Sequence, residues 1–188
     1  MTSSATAFAG ADYGRVVAPD AVRIERLLPG PIERVWAYLV ESEKRRKWFA
    51  RGDFDLRPGG RIDLIFQHSE LSAEKTYPET YKAMENGHVS TGEVLRCEPP
   101  RLITFTWGEE GESVFSEVTF ELAPQNGTVL LTLTHRKLKD RSEVVGVAGG
   151  WHTHLAMLED ELAGCEHRGF WTVHGEVGPE YEKRIPRG

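Results

Sequence analysis

The sequence has few cysteines and no long hydrophobic run. Cys97 and Cys165 are the only cysteines in 188 residues, and they lie far apart. Two thiols do not make the disulfide framework of a small secreted domain, so a reduced, cytoplasmic protein is expected. No stretch approaches the roughly 18 apolar residues that cross a bilayer. Residues 1–14 also lack the basic start and apolar run of a signal peptide. These absences predict a soluble chain that does not insert into membranes.

The chain also lacks an excess of positive charge. It has 23 Lys and Arg residues against 29 Asp and Glu residues, for a formal net charge of -6. Such a surface repels phosphate backbones and anionic lipid headgroups. Nucleic acid is therefore excluded as an expected partner.

The sequence also lacks residues at the spacing that common catalytic and metal-binding motifs require. There is no Gly-x-Ser-x-Gly nucleophile motif, and the glycine pairs at 59–60 and 149–150 lack phosphate-loop spacing. His152 and His154 would point about 200° apart on a helix, so they cannot share a zinc ion. Cys165 and His167 have no second ligand pair nearby in sequence. We expect neither a metal nor a cofactor.

Two periodicities divide the chain into strands and helices. Apolar residues alternate with polar ones in several short segments, which predicts half-buried strands separated by Gly, Pro and Asn turns. Between 142 and 162 they recur every three or four residues, which predicts one long helix with Gly164 as its C-cap. Strands are predicted at 13–17, 22–27, 62–66, 89–97, 102–107, 114–122 and 129–135, and shorter helices at 31–39 and 42–49.

This element order predicts an α+β domain. A twisted antiparallel sheet of about six to seven strands curls and needs a cover on its concave face. The long helix is the only predicted element able to cover it, and it would leave a cavity. Residues 1–12 are predicted to be flexible, 13–164 to form the domain, and 165–188 to pack back through Phe170 and Trp171. The polar loop at 69–87 is long enough for a lid or binding loop.

Several motifs resemble the START-like (SRPBCC) superfamily, and within it the branch similar to the activator of heat-shock-protein-90 ATPase. They are spread in order over residues 20–164. The resemblance implies a helix-grip fold with an apolar cavity, in a superfamily of lipid carriers, polyketide cyclases, oxygenase subunits and co-chaperones. Function must therefore be argued from the site itself. The motifs are 31–36, Trp48, 57–61, 92–95, 98–102, 105–107, 118–122, 132–135 and 149–151, followed by Leu155 and Leu158.

Five tryptophans in one small domain are the main compositional signal for a site. Aromatic side chains on inward faces usually fill the core, but indoles also line cavities that hold apolar or aromatic ligands. Both interpretations stay open for these residues. The predicted cavity residues are Trp36, Trp48, Leu64, Phe66, Phe105, Trp107, His135, Trp151, His154 and Leu155.

Three side chains are candidates for proton transfer. His135 and His154 are predicted to face inward, and Glu93 interrupts an apolar stretch of strand. A satisfied histidine and an outward glutamate are the alternatives. The first functional hypothesis is therefore a non-catalytic protein that binds a small apolar or aromatic ligand. The alternatives are a cyclase or hydratase that uses one of these three groups, and a co-chaperone or regulatory module that binds a protein partner or a second copy.

Overall fold

Seven antiparallel strands form one sheet in the computed structural model, which describes residues 13–112 and 115–187. Their order across the sheet is β1-β2-β7-β6-β5-β4-β3. Strand β1 thus lies at one edge of the sheet and β3 at the other. This topology, with a helix against the sheet, confirms the predicted helix-grip class. The strands are β1 Arg15–Ala18, β2 Ala21–Pro29, β3 Arg61–Phe66, β4 His88–Glu98, β5 Leu102–Trp107, β6 Ser116–Gln125 and β7 Thr128–Arg136.

Alternation sets which face of each strand is buried. In β7, Val129, Leu131, Leu133 and His135 are buried and alternate with half-buried neighbours, because successive side chains of a strand point to opposite faces. The buried faces of the other long strands continue this surface. The part of the predicted strand at residue 114 lies outside the described residues.

Two short helices follow β2, and the second is shorter than predicted. Helix α1 is Ile32–Val40 and α2 is Ser42–Arg45. The predicted helix to residue 49 is wrong in its extent, since the regular helix ends at Arg45. The Arg45 side chain turns inward and donates to the carbonyls of Val40, Ala50 and Gly52. Residues 46–49 continue as hydrogen-bonded turns, in which the N–H groups of Trp48 and Phe49 both donate to the Arg45 carbonyl.

The long helix α3, Arg141–Ala163, packs against β2. The Asp140 carboxylate accepts a hydrogen bond from the Glu143 amide at 2.9 Å and so caps the first turn. Gly164 follows in the left-handed conformation, with φ of 70°, which a glycine adopts at little cost. The predicted span and C-cap are confirmed. No helix among the described residues has the length and apolarity needed to cross a membrane.

A second long helix, α4 at Phe170–Arg184, lies where the sequence predicted only a tail. Gly175, Gly178 and Pro179 disfavour a helix, which is why the pattern was missed. The helix packs on α3, where Gly149 and Gly178 allow a close approach. Helix α3 is therefore not the last helix of the fold. The predicted flexible segment 1–12 lies outside the described residues.

Candidate functional site

A cavity of about 470 Å³ lies between the sheet and α3. Its inner walls are buried rings, and its outer walls carry solvent-exposed charged side chains. Strands β3 to β7 supply one wall, and one face of α3 supplies the other. The lining residues are Phe49, Phe66, His68, Met84, His88, Ser90, Trp107, Gly108, Glu109, Glu112, Ser116, His135, Lys137, Lys139, Glu143, Gly146, Val147, Gly150, Trp151 and His154.

Four aromatic rings form the inner wall. Phe49 stacks on Trp151 with ring centroids 4.8 Å apart. Trp107 meets Phe49 edge-on at 5.7 Å and lies parallel to Phe66 at 5.8 Å. These separations fall within the range that aromatic pairs prefer. The wall is thus braced by its own ring contacts and offers flat apolar faces to the cavity.

The hydrogen bonds of His135 determine which of its nitrogens carries the proton. The indole N–H of Trp151 donates to His135 Nδ1 at 3.0 Å, so Nδ1 is unprotonated. The Nε2–H then donates to Ser116 Oγ at 2.7 Å, and the Ser116 hydroxyl donates to the Trp107 carbonyl at 3.0 Å. Burial lowers the pKa of His135 to about 3. His135 is a neutral, fully bonded ring and a poor candidate for proton transfer.

His154 differs because, within residues 13–112 and 115–187, only one of its nitrogens is bonded. Its Nδ1 lies 2.9 Å from the Trp48 carbonyl oxygen. A carbonyl can only accept, so Nδ1 carries the proton and Nε2 holds a free electron pair. Burial lowers the pKa of His154 to about 3, despite the opposing bond to Trp48. The ring is therefore neutral at pH 7 and acts as a hydrogen-bond acceptor at Nε2.

His68 lies beside His154 with ring centroids 5.6 Å apart. It packs among Phe66, Phe170 and Trp171 and is 8% exposed. Burial lowers its pKa to about 4, with smaller contributions from His174 and His88. Two neighbouring imidazoles of the cavity wall are thus neutral.

The charged residues of the outer wall pair with one another. Lys137 contacts Glu117, and Lys139 lies 3.5 Å from Glu112. The backbone N–H of Lys139 also donates to Glu143. These contacts leave the rim without a cluster of uncompensated positive charge. Among the residues that the structure describes, no group of three or more His, Cys, Asp or Glu is arranged to hold a metal ion.

A family model described as Activator of Hsp90 ATPase homolog 1-like protein matches residues 29–163. The chain belongs to this family. The match spans most of the sheet, α1, α2 and all of α3, and it confirms the resemblance seen in the sequence. None of the curated proteins matches the chain.

Solved structures of several bacterial proteins share the fold of this family member. The protein encoded by gene BPP1335 of Bordetella parapertussis is 43% identical, with a TM-score of 0.79 over 100% of this chain and 97% of that one. CalU16 of Micromonospora echinospora is 24% identical, with a TM-score of 0.66 over 89% of each chain. DynU16, from the dynemicin biosynthetic locus, is 20% identical with a TM-score of 0.61, over 77% of this chain and 47% of that one.

The family fold brings half of the predicted site residues to the cavity. Phe66, Trp107, His135, Trp151 and His154 line it. The other five are buried core residues that do not line it, and Trp48 donates its indole N–H to the Tyr38 carbonyl instead. Their pattern marked them as buried but could not separate core from cavity. These residues are Trp36, Trp48, Leu64, Phe105 and Leu155.

Glu93 lies on the outer face of the sheet. Its side chain is exposed, and its neighbour Val94 is the buried residue of the alternation. The outward alternative therefore describes Glu93, because strand alternation points its side chain away from the cavity. His152 is fully buried away from the cavity, where its Nδ1 lies 3.0 Å from the Tyr181 hydroxyl.

Sequence reasoning missed most of the wall, including Phe49, His68, His88 and Ser116. His68 continues the alternation of β3 two residues after Phe66, so its inward position was readable from the pattern. Ser116 lies two residues before the buried Val118 on the predicted strand at 114–122, so its inward position was readable as well. His88 begins β4 one residue before the predicted start of that strand. Phe49 was assigned to a helix, so its inward turn was not foreseen.

Proposed function

We propose that the chain is a non-catalytic binding protein for a small apolar or aromatic molecule. The single observation that carries the proposal is the cavity, whose volume of about 470 Å³ lies within the range of known ligand pockets, about 300–1,000 Å³. Its aromatic faces suit a flat apolar ligand. The free thiols of Cys97 and Cys165 support a cytoplasmic setting.

The state of the cavity histidines favours binding over catalysis. A general base works best with a pKa near the working pH. His135 and His154 both have pKa values lowered to about 3, and both nitrogens of His135 are already bonded. These rings position a ligand better than they abstract a proton. The cyclase or hydratase alternative therefore has no well-tuned base among the candidates.

Filling the cavity from α3 tests the proposal. Gly150 lines the cavity, and a Cβ built there meets nothing within 4 Å. A Gly150→Leu variant should fold, occupy the cavity, and weaken binding of the apolar dye Nile red by at least about tenfold. Gly175 on α4 has the same open surroundings outside the cavity, so Gly175→Leu is the matched control.

Nile red fluorescence and quenching of tryptophan emission report binding in this experiment. Equal dye affinity in the wild type and Gly150→Leu would refute the proposal, as would the absence of binding to the wild type. The co-chaperone role and the homodimer stay predictions. A pull-down with a chaperone tests the co-chaperone role. Under that role, the cavity variant Trp107→Ala should bind the chaperone as well as the wild type does.

A further inference from the structure

The polar hydrogens of the Trp151, His135 and Ser116 side chains on the cavity wall are already used within the protein. The chain of bonds from Trp151 through His135 and Ser116 ends at the Trp107 carbonyl. Ser90 and His88 are also bonded to each other, at 3.1 Å. Groups satisfied in this way have little to offer a ligand.

Among the buried histidines of the wall, His154 and His68 differ from His135 because each keeps a ring nitrogen for the cavity. His154 Nε2 has no hydrogen-bond partner among the described residues, and its electron pair makes it an acceptor. The ring is 6% exposed and lines the cavity, so this acceptor is available only to something inside it. A ligand that fills this part of the cavity must supply a donor to Nε2, because covering the nitrogen with an apolar group would leave it unsatisfied at a cost of about 1–3 kcal/mol.

His68 supplies the complementary donor. Its Nδ1 is enclosed and has no hydrogen-bond partner among the described residues. Orphaned N–H groups are rarer in protein interiors than orphaned acceptors, so the proton of the neutral ring belongs on Nε2. That nitrogen is not enclosed, and the ring lines the cavity. Two neighbouring imidazoles thus present one N–H and one electron pair.

We propose that the ligand carries a hydroxyl group that donates to His154 Nε2 and accepts from His68 Nε2–H. This inference rests on the proposed function and names the chemical class of its ligand. The two rings are neighbours, with centroids 5.6 Å apart. One oxygen can therefore contact both rings through hydrogen bonds of about 2.8 Å when the two Nε2 atoms face the same part of the cavity.

Other polar groups fit the pair less well. An ether or carbonyl oxygen only accepts, so it would leave the His154 electron pair without a donor. A carboxylate would bring a negative charge to two rings that are neutral at pH 7 and already face inward from a buried wall. The pair therefore selects an alcohol or phenol on an apolar body.

Three probes that share one apolar body separate these groups. Biphenyl measures the affinity of the aromatic wall alone, para-methoxybiphenyl adds an acceptor, and para-hydroxybiphenyl adds an acceptor and a donor. Displacement of Nile red at pH 7 gives each affinity. We expect the hydroxyl probe to bind about tenfold more tightly than the methoxy probe.

Variants of His154 and His68 test whether these two rings cause the preference for the hydroxyl probe. In His154→Asn, the shorter amide retains a donor near Nδ1 for the Trp48 carbonyl and removes the Nε2 acceptor, so the preference should fall to about twofold or less. His68→Phe removes the donor and keeps a flat ring, with a similar loss expected. His174→Phe on α4 is the control, because His174 does not line the cavity. It should keep the tenfold preference.

The outcomes separate this inference from the proposed function. If all three probes bind equally well, the hydroxyl inference is refuted while the binding function stands. If no probe and no dye binds, both are refuted. A preference that survives in both His154→Asn and His68→Phe also overturns the inference. Should one variant fail to fold, the other variant and the wild-type series still decide.

Discussion

Replacing Glu74 with alanine should loosen helix α4 while the sheet stays folded. The Glu74 carboxylate accepts hydrogen bonds from the backbone N–H groups of Trp171 at 2.7 Å and Thr172 at 3.1 Å, and from the Thr172 hydroxyl. The residue before α4 is Gly169, which has no side chain to cap the helix. Glu74 thus caps α4 from 97 residues away in sequence.

The expected magnitude follows from these bonds. Loss of a helix N-cap costs about 0.5–2 kcal/mol, and loss of a negative charge at a helix N-terminus about 0.3–1 kcal/mol. Glu74 is half-buried, so we expect a total near 2 kcal/mol for Glu74→Ala, discounted for solvent screening. Glu74→Gln keeps an acceptor and should cost about half as much.

Amide hydrogen exchange of α4 measures this effect. A change of about 2 kcal/mol should accelerate exchange in α4 up to roughly thirtyfold in Glu74→Ala. Exchange in β6 and β7 should not change. Glu79→Ala, an exposed position in the same segment, is the control. Unchanged protection of α4 in Glu74→Ala would show that the remote cap contributes nothing and that packing on α3 alone holds the helix.

Two further predictions concern buried charge. Arg45→Lys should lower the free energy of urea unfolding by about 2–4 kcal/mol, because an ammonium cannot reach the several carbonyls that this 1% exposed guanidinium binds. The control Arg46→Lys, at an exposed position, should leave the free energy of unfolding unchanged. Equal effects of the two variants would contradict the argument. Burial lowers the pKa of His135, His152 and His154 from 6.5 to about 3. Below pH 6.5 the unfolded state then binds more protons than the folded state. The free energy of unfolding should therefore be highest above pH 6.5 and fall steadily towards pH 3, by about 2 kcal/mol or more between pH 6.5 and 5. A free energy of unfolding that does not change over this range in denaturant titrations would refute the prediction.

The sequence predicted one half of the candidate site because periodicity reports burial. Trp107, His135 and Trp151 fall on inward faces of a strand or helix, and each lines the cavity. Trp36 and Leu155 satisfy the same pattern but lie in the core. Periodicity cannot tell a side chain that touches space from one that touches another side chain, since both are shielded from solvent.

Local sequence pattern by itself determined which residues of β7 are buried, namely every second one from Val129 to His135. It also determined the span of α3 and its C-cap at Gly164. Both features depend on neighbours only a few residues apart. Only the tertiary structure decided α4. Gly175, Gly178 and Pro179 disfavour a helix, and its stability comes from packing on α3 and from the Glu74 carboxylate. The protonation of His154 likewise depends on the Trp48 carbonyl, 106 residues away in sequence. Contacts between residues so far apart in sequence produce no periodic pattern. The acceptor that His154 Nε2 presents to the cavity is therefore determined only by the tertiary structure.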